Sequence, residues 1–245
     1  MTDSITFELA THYLSKITLR LKFLLNTIAE SLNKDHAIIH RAALINLVEI
    51  GQLTEKPELK SRFLKELMRI EHLIQKKNLV ISSSTELKLQ NQIQKLTNCA
   101  NFFNQAINTD PFLQAIRNYK LTSCQEPCPF ELLSWLNWSE ETRQNYLKNW
   151  LMTLETLSST VDFYAILLSE QSIFHTIEVR QGFFHHPMQK IASCHLISLQ
   201  IEKNIHVVPQ MHLGHHGLSL RLIELPSMRE IDIPLLSVRL AICQF

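Results

Sequence analysis

The segment Ile5–Ile28, ITFELATHYLSKITLRLKFLLNTI, changes its hydrophobic period once, and that change constrains the fold more than any other feature of the chain. Ile5, Phe7 and Leu9 alternate with Thr6 and Glu8, the period of a half-buried strand. From Thr11 onward Leu14, Ile17, Leu21, Leu24 and Ile28 follow at steps of 3 and 4, which lays them on one helical stripe. Lys16 and Arg20 sit one turn apart beside that stripe. A strand this short needs a sheet to join, and the stripe needs a helical layer to cover it.

The next stretch supplies the helices. Asn33–Asp35 predicts a turn, and His36–Ile50 a helix with Ile38, Ala42, Ile45 and Val48 or Glu49 marking its faces and Gly51 at its end. Pro57 suits the start of a helix carrying Leu59, Phe63, Leu67, Ile70 and Ile74, whose charged residues Lys60, Arg62, Lys65, Glu66 and Arg69 read as a solvated face. Glu86–Ala106 predicts a helix with Leu89, Ile93, Leu96, Ala100 and Phe103 inward. Asp110-Pro111 is a helix start, an acidic cap before a proline, and that helix carries Arg117 and Lys120 near its end. Phe130–Leu136 predicts a short helix, and Ser139 caps a long segment. Its series Leu147, Trp150, Leu154, Leu157, Val161, Tyr164 and Leu168 steps 3, 4, 3, 4, 3, 4, with Ser158-Ser159 as a candidate break. Such a series suits a core helix or a seam between subunits.

Near Ser172 the texture changes to alternation. Ile177 and Val179, then Ile197–Ile201, then Leu218–Leu222, then Leu236–Ile242 each show one apolar face, which predicts four strands. One wet face favours antiparallel pairing, and Ile5–Leu9 offers a fifth strand. The expected fold class is α+β: a helical domain over residues 10–171, then a small antiparallel β-domain over 172–245 with strand 5–9 added.

Composition narrows the function. An apolar share of 45% and a charged share of 19% belong to a globular chain. A net charge of +1 argues against a bulk electrostatic pull on nucleic acid or a membrane. The four glycines, Gly51, Gly182, Gly214 and Gly217, cannot write a dinucleotide, nucleoside-triphosphate or acyl-transfer loop, which argues against a nucleotide or cofactor enzyme. Five scattered cysteines and the absence of a long apolar run or signal-peptide pattern predict a cytoplasmic protein with reduced thiols.

Three groups of residues could carry chemistry. Eight of the twelve histidines fall in residues 171–245, with His212, His215 and His216 close together and Cys194-His195 nearby. Imidazole and thiolate are zinc ligands, so a metal-dependent hydrolase or a redox protein is the alternative function; the plainer reading is loop and surface histidines. Cys124-x3-Cys128 has neither redox nor zinc-knuckle spacing and reads as a structural loop. Trp135, Trp138 and Trp150 lie near Arg143 and Lys148, where they could anchor a peptide or pack in the core. The cations off the apolar stripes, Lys16, Arg20, Arg117, Lys120, Arg143, Lys148 and Arg221, are ordinary surface charges unless they line a cleft that takes an acidic peptide.

Several patches in order suggest a family. They are FELATHYLSKITLRLKFLLNTI (Phe7–Ile28), FLKELMRIEHLIQ (Phe63–Gln75), the Arg117 helix with its cysteine-bearing loop, PFELLSWLNW (Pro129–Trp138), GHHGLSLRLIEL (Gly214–Leu225) and an apolar C-terminal strand. Over nearly its full length the chain resembles the ZapD family of bacterial cell-division proteins. The resemblance implies a helical domain plus a β-domain, dimerisation through the helical part and no enzymatic activity. It also implies no cofactor, a mid-cell location and binding to the C-terminal tail of the division GTPase FtsZ. A dimer would then cross-link FtsZ protofilaments and stabilise the Z-ring. A basic pocket serves that binding in the family: Arg20 and Arg221 match arginines there, Lys16 replaces one with charge kept, and Arg117 and Arg143 fall on or beside others. Asn137 stands near a family histidine and Gly217 near a further arginine, so the resemblance implies a less positive pocket, or one that uses His215 and His216.

Overall fold

The structure, a computed structural model, describes residues 3–99, 103, 105–122, 129–188, 191–231 and 233–245. Cys124, Cys128, Ala100 and the Lys120 side chain lie outside what it describes. In chain order the elements are β1 (Ser4–Ala10), α1 (Tyr13–Ser31), α2 (Ala37–Leu53), α3 (Glu58–Gln75), α4 (Ser83–Asn98), α5 (Gln105–Thr109), α6 (Pro111–Thr122), α7 (Phe130–Leu136), α8 (Glu140–Thr153), α9 (Glu155–Glu170), β2 (His175–Arg180), β3 (Phe183–Pro187), β4 (Cys194–Glu202), β5 (Val207–Gly214), β6 (Gly217–Glu224) and β7 (Leu235–Gln244). They gather into two compact units, Ile17–Tyr164 and Met1–Lys16 with Ala165–Phe245. The architecture is α+β, with the opening strand in the C-terminal sheet.

The helical unit is built on the periodic stripes. Leu21, Leu24 and Ile28 of α1 are fully buried, as are Phe63, Leu67 and Ile70 of α3 and Leu89 and Leu96 of α4. Side-chain caps hold the starts. Ser82 accepts a hydrogen bond from the Thr85 amide, Ser139 from that of Thr142, and Asp110 Oδ1 from those of Phe112 and Leu113. Asp110 does a second job, since its Oδ2 accepts from Trp150 Nε1 at 3.0 Å and so joins α6 to α8.

Four details depart from the periodic reading. First, α2 buries His40, Ala43, Leu44, Leu47, Val48, Ile50 and Gly51, so the stripe Ile38–Ala42–Ile45 lies on the other side and Ile38 is 69% exposed. The helix is apolar on both faces, and periodicity could not choose between them. Second, Gly51 lies inside α2, where a Cβ would stand 3.3 Å from both Ile107 and Asn108; its role is close packing against α5 rather than a C-cap. Third, α4 ends at Asn98, short of the expected Ala106. Fourth, the long series from Leu147 breaks at Leu154 with a 66° bend, not at Ser158-Ser159. Leu147, Trp150, Leu154, Leu157, Val161, Tyr164 and Leu168 are all buried within this one chain, which makes the series core and leaves none of it for a seam between subunits.

Among the described residues the sheet has seven strands in the order β1-β4-β7-β2-β3-β6-β5, every pair antiparallel. Phe7 sits opposite Leu199, Leu199 opposite Leu240, and Phe184 opposite Leu220, so one face of the sheet carries a continuous apolar cluster. The four strands expected from alternation are there, and β3 and β5 join them. β5 contains Pro209, which a strand tolerates at a sheet edge, and β5 is an edge strand. β2 and β3 are joined by Gln181-Gly182, both at positive φ, the two-residue turn that matches strand twist. β5 and β6 are joined through His215-His216, with Gly214 opposite Gly217.

Candidate functional site

The expected partner-binding cations divide between the two units. In the helical unit Arg20 and Arg117 reach the same stretch of chain, the C-terminal end of α2 and the residues after it. Arg20 forks onto Glu49 with Nε–Oε1 at 2.7 Å and Nη2–Oε2 at 2.8 Å, while its guanidinium lies 5.7 Å from the ring centroid of exposed Phe23. That hydrogen bond raises the already high pKa of Arg20. Arg117 Nη2 stands 2.9 Å from Glu55 Oε2. Both pairs are open to solvent, so each cation is presented at the surface with an acid beside it.

Arg143 belongs elsewhere. Expected off the apolar stripes, it is 7% exposed. Its Nε donates to His40 Nδ1 at 3.1 Å, and its Nη1 donates to the carbonyls of Leu136 and Trp138. These bonds fasten the turn between α7 and α8 to α2. One Arg between polar neighbours gives no sign of burial in the sequence. Lys148, five residues on, is exposed and makes no ion pair among the described residues. The tryptophans are mostly structural. Trp135 and Trp150 are buried, and Phe112 stacks on Trp150 at 6.0 Å with rings 2° from parallel. Trp138 is 39% exposed and packs on Tyr146. Glu66, read as part of a solvated face, is nearly buried and held by both arms of Arg69 at 2.7 and 3.0 Å.

The other three expected residues lie in the β-unit. Lys16 is exposed in the first turn of α1, where no acidic residue precedes it. It lines a cavity of about 420 Å³. Arg221 is exposed on β6, with its Nη1 2.8 Å from Glu230 Oε1. His215 is exposed at the tip of the β5–β6 hairpin. Arg221 lies four residue steps along β6 from Gly217 at that hairpin, roughly 13 Å of strand.

The C-terminal histidines and cysteines do not assemble a metal centre. Among the described residues no group of three or more His, Cys, Asp or Glu side chains could hold an ion. His195 is buried, 4.2 Å from the His12 ring and 4.8 Å from Phe245 by ring centroids. His175 and His186 line an apolar groove of about 670 Å³ over β2 and β7, beside Ile177, Leu240 and Ile242. Cys194 and Cys243 are buried thiols. Burial, with Cys194 nearby, pushes Cys243 up to about 12, and burial also raises Cys194 against the hydrogen bond from Thr11. Neither is poised as a thiolate nucleophile at neutral pH.

The comparisons with known proteins agree with one another. A family model described as ZapD, cell division protein, matches residues 19–221. A cell division protein ZapD of Coxiella burnetii is 26% identical over 233 residues, covering 91% of this chain and 89% of the relative. A cell division protein ZapD of Chromobacterium violaceum is 24% identical over 228 residues, covering 89% and 90%. One from Pectobacterium carotovorum is 23% identical over 253 residues, covering 98% of each. With helices and antiparallel sheet in the order that the patches imply, and a family match over well more than half its length, this chain belongs to the ZapD family of cell division proteins.

Proposed function

We propose that this protein binds the C-terminal tail of FtsZ and, as a homodimer, cross-links and bundles FtsZ protofilaments at the mid-cell division site, without catalysing a reaction. The observation that carries the reading is the presentation of its cations. Lys16 and Lys148 are exposed and make no ion pair among the described residues, while Arg20, Arg117 and Arg221 are paired only to acids at the surface. An exposed single-contact ion pair is weak, so an incoming carboxylate can exchange with Glu55 or Glu230 at little cost, while the two-armed grip of Arg20 on Glu49 is the firmest of the three. An arginine held this way is already ordered in the geometry a partner carboxylate needs.

Bundling then follows from multivalency. A weak tail contact on one protofilament makes the dimer's second contact effectively intramolecular, which raises avidity by about 10²–10⁴-fold when the linkage can span both sites. The helical unit offers exposed apolar residues for self-association: Ile38 and Ala42 on one face of α2, and Phe23 of α1, which is 60% exposed. The test is the double variant Arg20→Glu and Arg221→Glu, scored by co-pelleting with FtsZ polymers and checked for folding by circular dichroism. The folded variant is expected to lose co-pelleting, and added salt should weaken the wild type in the same direction. Normal bundling by the folded double variant would refute the assignment of these cations.

A further inference from the structure

The β-unit holds an opening that the basic residues alone do not explain. β1 and β5 are the two edge strands of the sheet and do not pair with each other. Residues of both nevertheless line one cavity of about 420 Å³: Leu9 from β1, and Met211, His212 and Leu213 from β5, with His12 and Lys16 beside them. The C-terminal ends of both edge strands therefore open on one gap, which Ile191, Ala192 and Cys194 also line.

The lining has a definite chemistry. Among the described residues the lining holds no carboxylate, and the ammonium it does hold there, that of Lys16, makes no ion pair. Lys16 stands on the first turn of α1, which carries no acid of its own, so the positive end of the helix adds to its field. Leu9, Met211 and Leu213 supply apolar wall, and the exposed His212 imidazole can hydrogen-bond an acid. An exposed strand edge gives main-chain hydrogen bonds to an extended peptide, while pockets for alternate side chains give it specificity. Between the two edges β1 is the better template, because Pro209 removes a donor from β5.

Resting on the reading of an acidic tail as partner, we infer that the tail docks as an added strand along β1, in the gap between β1 and β5. One of its carboxylates meets Lys16, and a neighbouring apolar side chain enters between Leu9 and Leu213. The partner surface is then a strand edge with one charge at its end, and the exposed arginines act as outlying contacts.

The experiment is hydrogen–deuterium exchange on the full chain, with and without a synthetic peptide of the FtsZ C-terminal tail, alongside peptide titrations of Lys16→Glu and Lys16→Gln. Slowed exchange over Ser4–Ala10 is expected in the complex, with at least a tenfold loss of affinity in Lys16→Glu, a smaller loss in Lys16→Gln, and unchanged circular dichroism in both. Unchanged exchange over Ser4–Ala10, or undiminished affinity in both variants, overturns the docking mode; if the wild type still binds the peptide, the tail-binding reading stands without it. No binding of the peptide by the wild type overturns that reading and the docking together.

Discussion

At the scale of single residues, the same chemical group does opposite work according to burial. Arg143 and Lys148 are five positions apart on α8, yet one is locked among two carbonyls and an imidazole and the other is exposed. Replacing Arg143 by Ala leaves the Leu136 and Trp138 carbonyls and His40 without their donor, and the expected cost is about 3 kcal/mol in urea unfolding. Lys148→Ala should change stability by less than about 0.5 kcal/mol, so any loss of FtsZ binding it causes reports on the surface. Gly217 sets a different limit. Its φ is +131°, and a Cβ there would stand 2.1 Å from the His186 carbonyl oxygen. Gly217→Ala is expected to cost about 2 kcal/mol or more, because β3 must shift away from β6 to admit the methyl group. A melting temperature equal to the wild type's would contradict that contact. Residue roles of this kind were the least legible part of the sequence. A lone Arg in a polar run carries no mark of burial, and a Gly in a hairpin does not say which neighbouring backbone it lets approach.

At the scale of elements, the sequence was more informative, and its failures have physical causes. Long periodic stripes, such as those of α1 and α3, were legible because tertiary packing buried the stripe the spacing marked. α2 misled because both its faces are apolar, so two stripes fit the same residues. The strands with clean alternation were legible; β3 and β5 were not, since FFHHP is short and VVPQMHLG carries Pro and His where alternation would show. The bend at Leu154 lacks a Gly or Pro, the usual marks of a break. The exposed stripe of α2 makes a prediction at this scale. Ile38→Glu with Ala42→Glu alters only exposed positions, so the helical unit should fold as before by circular dichroism. If self-association uses this stripe, the variant should sediment as a monomer and lose bundling at concentrations where the wild type bundles, while still binding a single tail peptide. A variant that remains a full dimer would place the self-association surface elsewhere.

At the scale of the whole molecule, family membership and fold agree, and what remains to be measured is assembly. Among the described residues no single helix is long and apolar enough to cross a membrane. The buried thiols and dispersed histidines give the alternative of a metal or redox enzyme no ligand set among those residues. The cations, by contrast, are presented outward in both units, through Arg20, Arg117 and Lys148 in one and Lys16 and Arg221 in the other. Their types and positions could be read from the sequence through the family resemblance; their pairing to Glu49, Glu55 and Glu230 could not, because each partner lies nine or more residues away in the chain. A bivalent adaptor needs two properties at once, self-association and one tail site per subunit. Sedimentation velocity of the purified protein with a fluorescently labelled FtsZ C-terminal tail peptide measures both in one run. The expected result is a dimer carrying two peptides, with peptide released as salt is raised; a monomer, or a dimer that leaves the peptide unbound at low salt, would contradict it.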